Sequence, residues 1–218
     1  MIAAMNHRAP SRRHVLRLAC ATGLASITLA APAVAQSFGR ITVPADKIRA
    51  GVDGLDNFYR VDARVFRAHK PTTAEAYGVL SRRFGVRTIV DLRNRIPEPD
   101  LGPGASIRVV HAPMETFDVR GSEAQVVRAL AAIHQGQRRG RVLVHCDYGR
   151  DRTGTVIALY HMMFHGWSRE RALTDMIAGP FEFHEFLTLF PPGHSIHGYV
   201  EGVDVADMKR RVLAMGPV

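Results

Sequence analysis

Cys146 and Arg152 stand six positions apart in the run His145-Cys146-Asp147-Tyr148-Gly149-Arg150-Asp151-Arg152-Thr153-Gly154, where an apolar strand gives way to an apolar helix. A free cysteine titrates at about 8.5, and a helix N-terminus with a nearby guanidinium lowers this by one to several units, so a thiolate nucleophile is available at neutral pH. Backbone N–H groups of Asp147, Tyr148, Gly149, Arg150, Asp151 and Arg152 can converge in such a turn to make an anion cradle at the positive helix end. The planar fork of Arg152 offers two parallel donors to two oxygens of one phosphoryl group, which a lysine cannot do. Thr153 is placed to donate its hydroxyl to the cysteine sulfur or to stabilise that sulfur as a leaving group. Gly149 and Gly154 permit tight curvature and close helix packing, and His145 is expected to orient the loop through hydrogen bonds rather than act as a base. A free cysteine at a strand end is often only a small buried hydrophobe; the density of polar and glycine residues around Cys146 argues against that.

The pattern His-Cys-x5-Arg-Thr-Gly resembles the active-site loop of the protein tyrosine phosphatase superfamily, in a form most similar to bacterial and atypical dual-specificity phosphatases. Phe58-Tyr59-Arg60, Val90-Asp91-Leu92-Arg93 and Gly166-Trp167-Ser168 with Ala172-Leu173 extend the likeness over most of Phe58 to Met176. Rhodanese-like and arsenate-reductase-like proteins also use cysteine loops, but the Thr-Gly after the arginine and the loop's place well inside the chain favour the phosphatases. The resemblance implies an α/β domain with a central, mainly parallel sheet flanked by helices. It also implies hydrolysis of phosphate monoesters through a cysteinyl-phosphate, without metal or cofactor, with Cys146 as nucleophile and Arg152 as phosphate ligand. An aspartic acid on a separate loop would serve as general acid.

Asp118 is the first choice for that acid. It follows the strand Ile107 to Ala112 and precedes Cys146 by 28 residues, roughly where dual-specificity phosphatases carry theirs. No Trp-Pro-Asp tripeptide marks it, and Glu115 in the same loop is the alternative. Asp91, before Arg93 at a strand end, and Asp151 are less suited. The expected substrates are phosphotyrosine or phosphoserine/threonine in a protein, or a small phosphate ester. Arg150 adds a second cation, similar to lipid-phosphatase branches of the superfamily, so a phosphoinositide or inositol phosphate is the alternative; in that case contact with a membrane surface is expected. Arg150 pointing to solvent or pairing with Asp147 or Asp151 is the plainer alternative, and a weakly catalytic phosphoanion-binding module is a further one. His161/His165 and His194/His197 lack a His-Glu-x-x-His pattern and a third ligand, so no metal is expected. No aromatic interleaving or nucleic-acid motif accompanies the basic residues, so no nucleic-acid partner is expected. Oligomeric state is not legible.

Around the loop, elements alternate as in a single α/β domain. Phe58 to Phe66 reads as a strand or strand pair, Thr72 to Phe84 as an amphipathic helix, Val86 to Leu92 as a buried strand, and Ile107 to Ala112 as another. Gly121 to Gln137 reads as a helix with Ser122 as cap, Arg141 to His145 as the strand entering the loop, and Thr153 to Phe164 as the helix leaving it. Two helices follow, over Ser168 to Ile177 and Val203 to Met215. The phosphatase domain is thus expected over residues 58–218, preceded by an irregular arm at 36–57.

Residues 1–35 read as a leader. Arg8, Arg12, Arg13 and Arg17 occur without an acidic residue and are followed by an uncharged, alanine-rich stretch from Leu18 to Ala35. Ser11-Arg12-Arg13-His14-Val15-Leu16-Arg17 resembles a twin-arginine export motif, and Ala33-Val34-Ala35 offers a cleavage site. An uncleaved anchor is the competing reading; weak hydrophobicity and Pro32 speak against it. Of the formal charge of +9, the four leader arginines account for four, since 25 basic and 20 acidic residues remain. Cys20 would leave with the leader, so Cys146 would be the mature protein's single cysteine and no internal disulfide could form. A lone thiol in an oxidising compartment is a liability unless it has a task. N-terminal sequencing of the protein recovered from the exported fraction should begin at Gln36, and a chain that stays in the cytoplasm with its first residues intact would overturn export.

Overall fold

Val142, Leu143 and Val144 are all fully buried, which requires that the strand carrying them be covered on both faces. The computed structural model describes residues 46–94, 106–190 and 194–218; the leader and the first part of the arm lie outside them. Six strands, β1 (Asp46–Lys47), β2 (Tyr59–Arg60), β3 (Val65–Ala68), β4 (Val86–Asp91), β5 (Arg108–His111) and β6 (Arg141–His145), form one sheet in the order β1-β2-β3-β6-β4-β5. β3, β6, β4 and β5 run parallel, while β1 and β2 add antiparallel at one edge. The expected mainly parallel sheet is therefore a mixed one with a parallel centre.

Period-two alternation sorts the side chains between two cores. Val65, Val90, Val142 and Val144 face the side covered by α2 (Glu123–Gly136), α3 (Asp151–Phe164) and α4 (Arg169–Ala178). Phe66, Ala68, Ile89 and Leu143 face the other side, with Ala76 and Leu80 of α1 (Ala74–Arg82). Ala68 and Asp91 flank His145 in register, and His111 flanks Asp91. The carboxyl ends of the four parallel strands thus stand abreast, and the loops that follow them emerge at one edge, the usual place for a ligand in such sheets.

The helix readings hold with instructive exceptions. Thr73 and Ser168 cap α1 and α4 through Ala76 N–H and Arg171 N–H. Ser122 makes no cap bond: its hydroxyl donates to the Asp118 carbonyl at 3.1 Å and accepts the Glu115 N–H at 3.1 Å. The stretch Phe58 to Phe66 divides into β2 and β3 because the Asp62 carboxylate accepts the Arg64 and Val65 N–H groups at 2.6 and 2.8 Å, closing a turn between them. α3 begins at Asp151, earlier than expected. A short 3₁₀ turn (Glu185–Leu189) and the helix α5 (Ile196–Gly202) add to the expected elements, and the last helix α6 (Val205–Ala214) starts at an Asp204 cap.

His161 and His165 pack against each other and against Trp167 and Tyr160; the described residues contain no cluster of three or more metal-ligating side chains. The His161 ring stacks on Trp167 at 3.8 Å and 6°, and the Arg171 guanidinium lies over the same indole at 3.9 Å. Burial, reinforced by the neighbouring His165, lowers His161 from 6.5 to about 4. An unfolded chain takes up this proton below pH ~6.5 while the folded one does not, so the contribution is fully present above that pH and is lost as pH falls toward 4. The gap is worth about 3 kcal/mol, an order-of-magnitude figure. His161→Phe keeps the stack and removes the proton site; urea unfolding of this variant should show a drop between pH 6.5 and 4 that is smaller than wild type's by that order, and identical slopes would contradict the assignment.

Candidate active site

The loop between β6 and α3 is built by turning its carbonyls outward. The Cys146 carbonyl accepts from His145 Nδ1 at 3.0 Å, the Asp147 carbonyl from the Lys70 N–H at 3.3 Å, and the Tyr148 carbonyl from Asn57 Nδ2 at 3.0 Å. Arg67 Nη2 donates to the Gly149 carbonyl at 2.8 Å and the Arg150 carbonyl at 3.1 Å, and the latter also accepts the Gly154 N–H at 2.7 Å. In a trans peptide the N–H points opposite to its carbonyl. Five successive N–H groups, those of Asp147 to Asp151, are therefore directed away from these anchors. Gly149 has φ +67°, and a Cβ there would run into the Ala68 carbonyl, so the loop closes down on the end of β3 only with glycine.

Cys146 is buried, with 3% of its surface exposed, at the end of β6. Arg152 Nη2 donates to Asp147 Oδ2 at 2.6 Å, and its Nη1 reaches the Leu92 carbonyl at 3.4 Å. The guanidinium is thereby pinned on one side by the loop's own carboxylate and on the other by the end of β4. His145 is fully buried, with Nδ1 4.0 Å from Asp91 Oδ1. Asp91 accepts from Arg93 at 2.9 and 3.0 Å and from the Arg93 N–H at 2.9 Å. Burial raises this carboxyl, but the Arg93 bonds and the neighbouring His145 outweigh it and hold it below the usual carboxylate range; Asp91 is a structural carboxylate. Thr153 is buried and its hydroxyl carries no hydrogen bond, to the sulfur or elsewhere. Gly154 lets α3 approach Met176 of α4.

Arg67 was not legible as a site residue, although a charge at the inward-facing position of Val65-Phe66-Arg67-Ala68 is itself a signal. It is 1% exposed, and its guanidinium lies 3.7 Å from the centre of the Phe181 ring. Burial lowers it to about 10, opposed chiefly by the charges of Asp175 and Cys146, so it is a cation at neutral pH beneath the loop. The Asp151 N–H is one of the five cradle donors, and its carboxylate accepts the His184 N–H at 2.9 Å and pairs with His184 Nδ1 at 2.7 Å. Arg150 pairs with Glu182 rather than with Asp147 or Asp151, and lies 5.4 Å from the ring of Tyr148.

Both acid candidates sit in the loop after β5. The Met114 N–H donates at 3.3 Å to the Leu92 carbonyl, the same oxygen that Arg152 reaches, so this loop starts one carbonyl away from the arginine. Asp118 is exposed, and its Oδ1 accepts the Gly121 N–H at 2.9 Å. Glu115 is tied to Asn94 Nδ2 at 2.7 Å. Phe117 beside Asp118 meets Phe190 edge-on at 5.3 Å.

A phosphatase family described as the DSP-PTPase of polymorphic toxin systems matches residues 62–166. The chain is 31% identical over 210 residues to the dual specificity protein phosphatase TpbA of one Pseudomonas aeruginosa strain, and 30% identical to that of another; each match covers 96% of this chain and 89% of the relative. The crystal structure of P. aeruginosa TpbA superposes with a TM-score of 0.60 at 27% identity, covering 78% of this chain and 96% of that one. A TpbA variant with serine in place of a cysteine, in complex with pTyr, gives 0.60 at 26% over the same shares. DUSP15 shares the fold, with a TM-score of 0.54 at 17% identity over 73% of this chain and 97% of the other. A thiol at the floor of an anion cradle, an arginine fork beside it and this likeness over nearly the whole chain agree: the protein belongs to the dual specificity protein phosphatases, cysteine-dependent hydrolases of phosphate esters.

Proposed function

We propose that this phosphatase acts on phosphotyrosine in proteins, outside the cytoplasm, with Cys146 as nucleophile, Arg152 as phosphoryl ligand and Asp118 as general acid. The observation that carries the catalytic assignment is the set of five outward-anchored carbonyls above Cys146, because donors fixed before the charge arrives need no reorganisation in the transition state. A solved relative bound to pTyr supports the substrate class. Export draws its support from the arginine-rich, alanine-rich pattern of residues 1–35.

In the first step the Cys146 thiolate forms an S–P bond as the P–O bond to the leaving group breaks. The electron pair leaves on the oxygen, which takes the Asp118 proton. In the second step a water attacks phosphorus, gives its proton to the Asp118 carboxylate and forms inorganic phosphate as the thiolate departs. Arg152 binds two phosphoryl oxygens through both steps, exchanging its present bond to Asp147 for the substrate. The Thr153 hydroxyl, unpartnered and buried, supplies a donor for the sulfur when it leaves. Asp118 must let go of the Gly121 N–H as its loop moves over bound substrate, a motion common among loops that carry catalytic acids.

Hydrolysis of p-nitrophenyl phosphate in chelator-treated buffer should fall by at least ~10³-fold in Cys146→Ser; equal rates would refute the mechanism. Asp118→Asn retains an oxygen for the Gly121 turn and loses the proton. In kcat/KM, which reports the first step alone, it should slow an alkyl phosphate by roughly 10²- to 10³-fold and p-nitrophenyl phosphate much less, since that leaving group departs without protonation. Equal losses on both esters would rule out Asp118 as the acid and move the assignment to Glu115.

A further inference from the structure

Beside the cradle, on the side of β1, lies a cavity of about 400 Å³ with Lys47, Arg49, Asn57, His69, Arg150 and Glu182 in its wall. Four independent observations meet there. Among the described residues, Asn57 (φ +48°) and Glu182 (φ +61°) are the non-glycine residues with left-handed backbone, and both line it. Such conformations persist only where the surroundings enforce them, and they collect at functional sites. The Arg150 Nε donor is buried with no hydrogen-bond partner, a cost of about 1–3 kcal/mol if left unmet. Lys47, Arg49 and Arg150 outnumber the acidic wall residues Asp56 and Glu182. Finally, Tyr148 and Arg150 belong both to this wall and to the loop that receives the phosphoryl group.

The Glu182 carboxylate occupies Arg150 and is 60% exposed, while the arginine is 32% exposed. It is a carboxylate supplied by the protein itself where an external one would sit, held by a strained backbone and free to swing into solvent. We infer that the cavity is a second anion subsite, which receives an acidic side chain or second phosphate of a phosphopeptide while its phosphotyrosine occupies the cradle, with Glu182 displaced from Arg150. Lys47 and Arg49 then set the preference for acidic sequence around the scissile phosphate, and Arg150 links the two sites. This inference rests on the phosphopeptide reading above.

The test uses the full chain and three phosphotyrosine peptides of equal length, whose flanking residues are glutamate, alanine or a second phosphotyrosine. Wild type should show kcat/KM on both acidic peptides roughly tenfold above the alanine peptide, the order expected for one or two partly desolvated charge pairs. That ratio should fall toward one in Lys47→Ala/Arg49→Ala and rise in Glu182→Gln, and dissociation constants of the same peptides for Cys146→Ser should follow it. A ratio near one in wild type, or one that the double variant leaves unaltered, overturns the subsite while the phosphopeptide reading stands. Hydrolysis of p-nitrophenyl phosphate and inositol phosphates with every peptide untouched overturns the phosphopeptide reading itself, and the subsite with it. The glutamate and phosphotyrosine arms distinguish a carboxylate ligand from a phosphate.

Discussion

The direction of five peptide planes governs this protein. A loop that binds a dianion must present N–H groups and hide its carbonyls, and a hidden carbonyl needs a donor or it costs about 1–3 kcal/mol. Every carbonyl from Cys146 to Arg150 has one, drawn from His145, Lys70, Asn57 and Arg67. Arg67 serves two of the five while fully buried, so its desolvation must be recovered by those bonds, by the face of Phe181 and by the charge of Asp175. Burying a guanidinium costs several kcal/mol unless its surroundings are well matched. That expense is intelligible here because the hydrogen bonds of the same cation orient two successive peptides of the loop.

The sheet makes this arrangement possible. His145 is flanked by Ala68 on one side and Asp91 on the other, so the end of β6 can be reached from β3 and β4 at once. From β3 come Arg67 and the Lys70 N–H; from the end of β4 comes the Leu92 carbonyl, shared by Arg152 and the N–H that starts the loop bearing Asp118. α3 is fixed from outside the sheet, where Asp151 in its first turn holds His184 twice, bringing Phe181 over Arg67. Residues separated by more than a hundred positions thus fix one small volume, and the parallel centre of the sheet is what brings them there.

Cys146, Arg152 and the strand and helix around them were legible because they are contiguous: one run of residues carries the thiol, the turn and the guanidinium. The uninterrupted apolar run Val142-Leu143-Val144 likewise marked a short buried strand. What escaped is what acts across the fold. Arg67, Asn57 and His184 are single residues in unrelated segments, and their partners are loop carbonyls or one carboxylate, which leave no mark in a sequence. Ser122 was read as a helix cap because its type and place suit one; the loop that follows β5 claims the hydroxyl instead, a tertiary contact overriding a local preference. Asp118 illustrates the remaining gap. Its carboxylate closes a turn with Gly121, and the hydrogen bonds of a catalytic acid commonly form only once substrate is bound, so neither the sequence nor a substrate-free loop displays them.

The shared residues also limit how separable binding and catalysis can be. Asn57 donates to the Tyr148 carbonyl within the cradle and lines the neighbouring cavity; Arg150 has its carbonyl on Arg67 and its guanidinium on Glu182. A group that draws the Arg150 side chain toward the cavity therefore pulls on a residue whose backbone is pinned by the buried arginine. Substitutions at Asn57 or Arg67 remove the pin and should couple strongly to any change at Arg150, whereas Lys47 and Arg49, which touch the cavity without bonding to the loop, should combine with loop changes almost additively. The loop backbone is anchored at each carbonyl from Cys146 to Arg150, while the Arg150 side chain turns away to Glu182, and Arg67 holds the peptide where the two directions part.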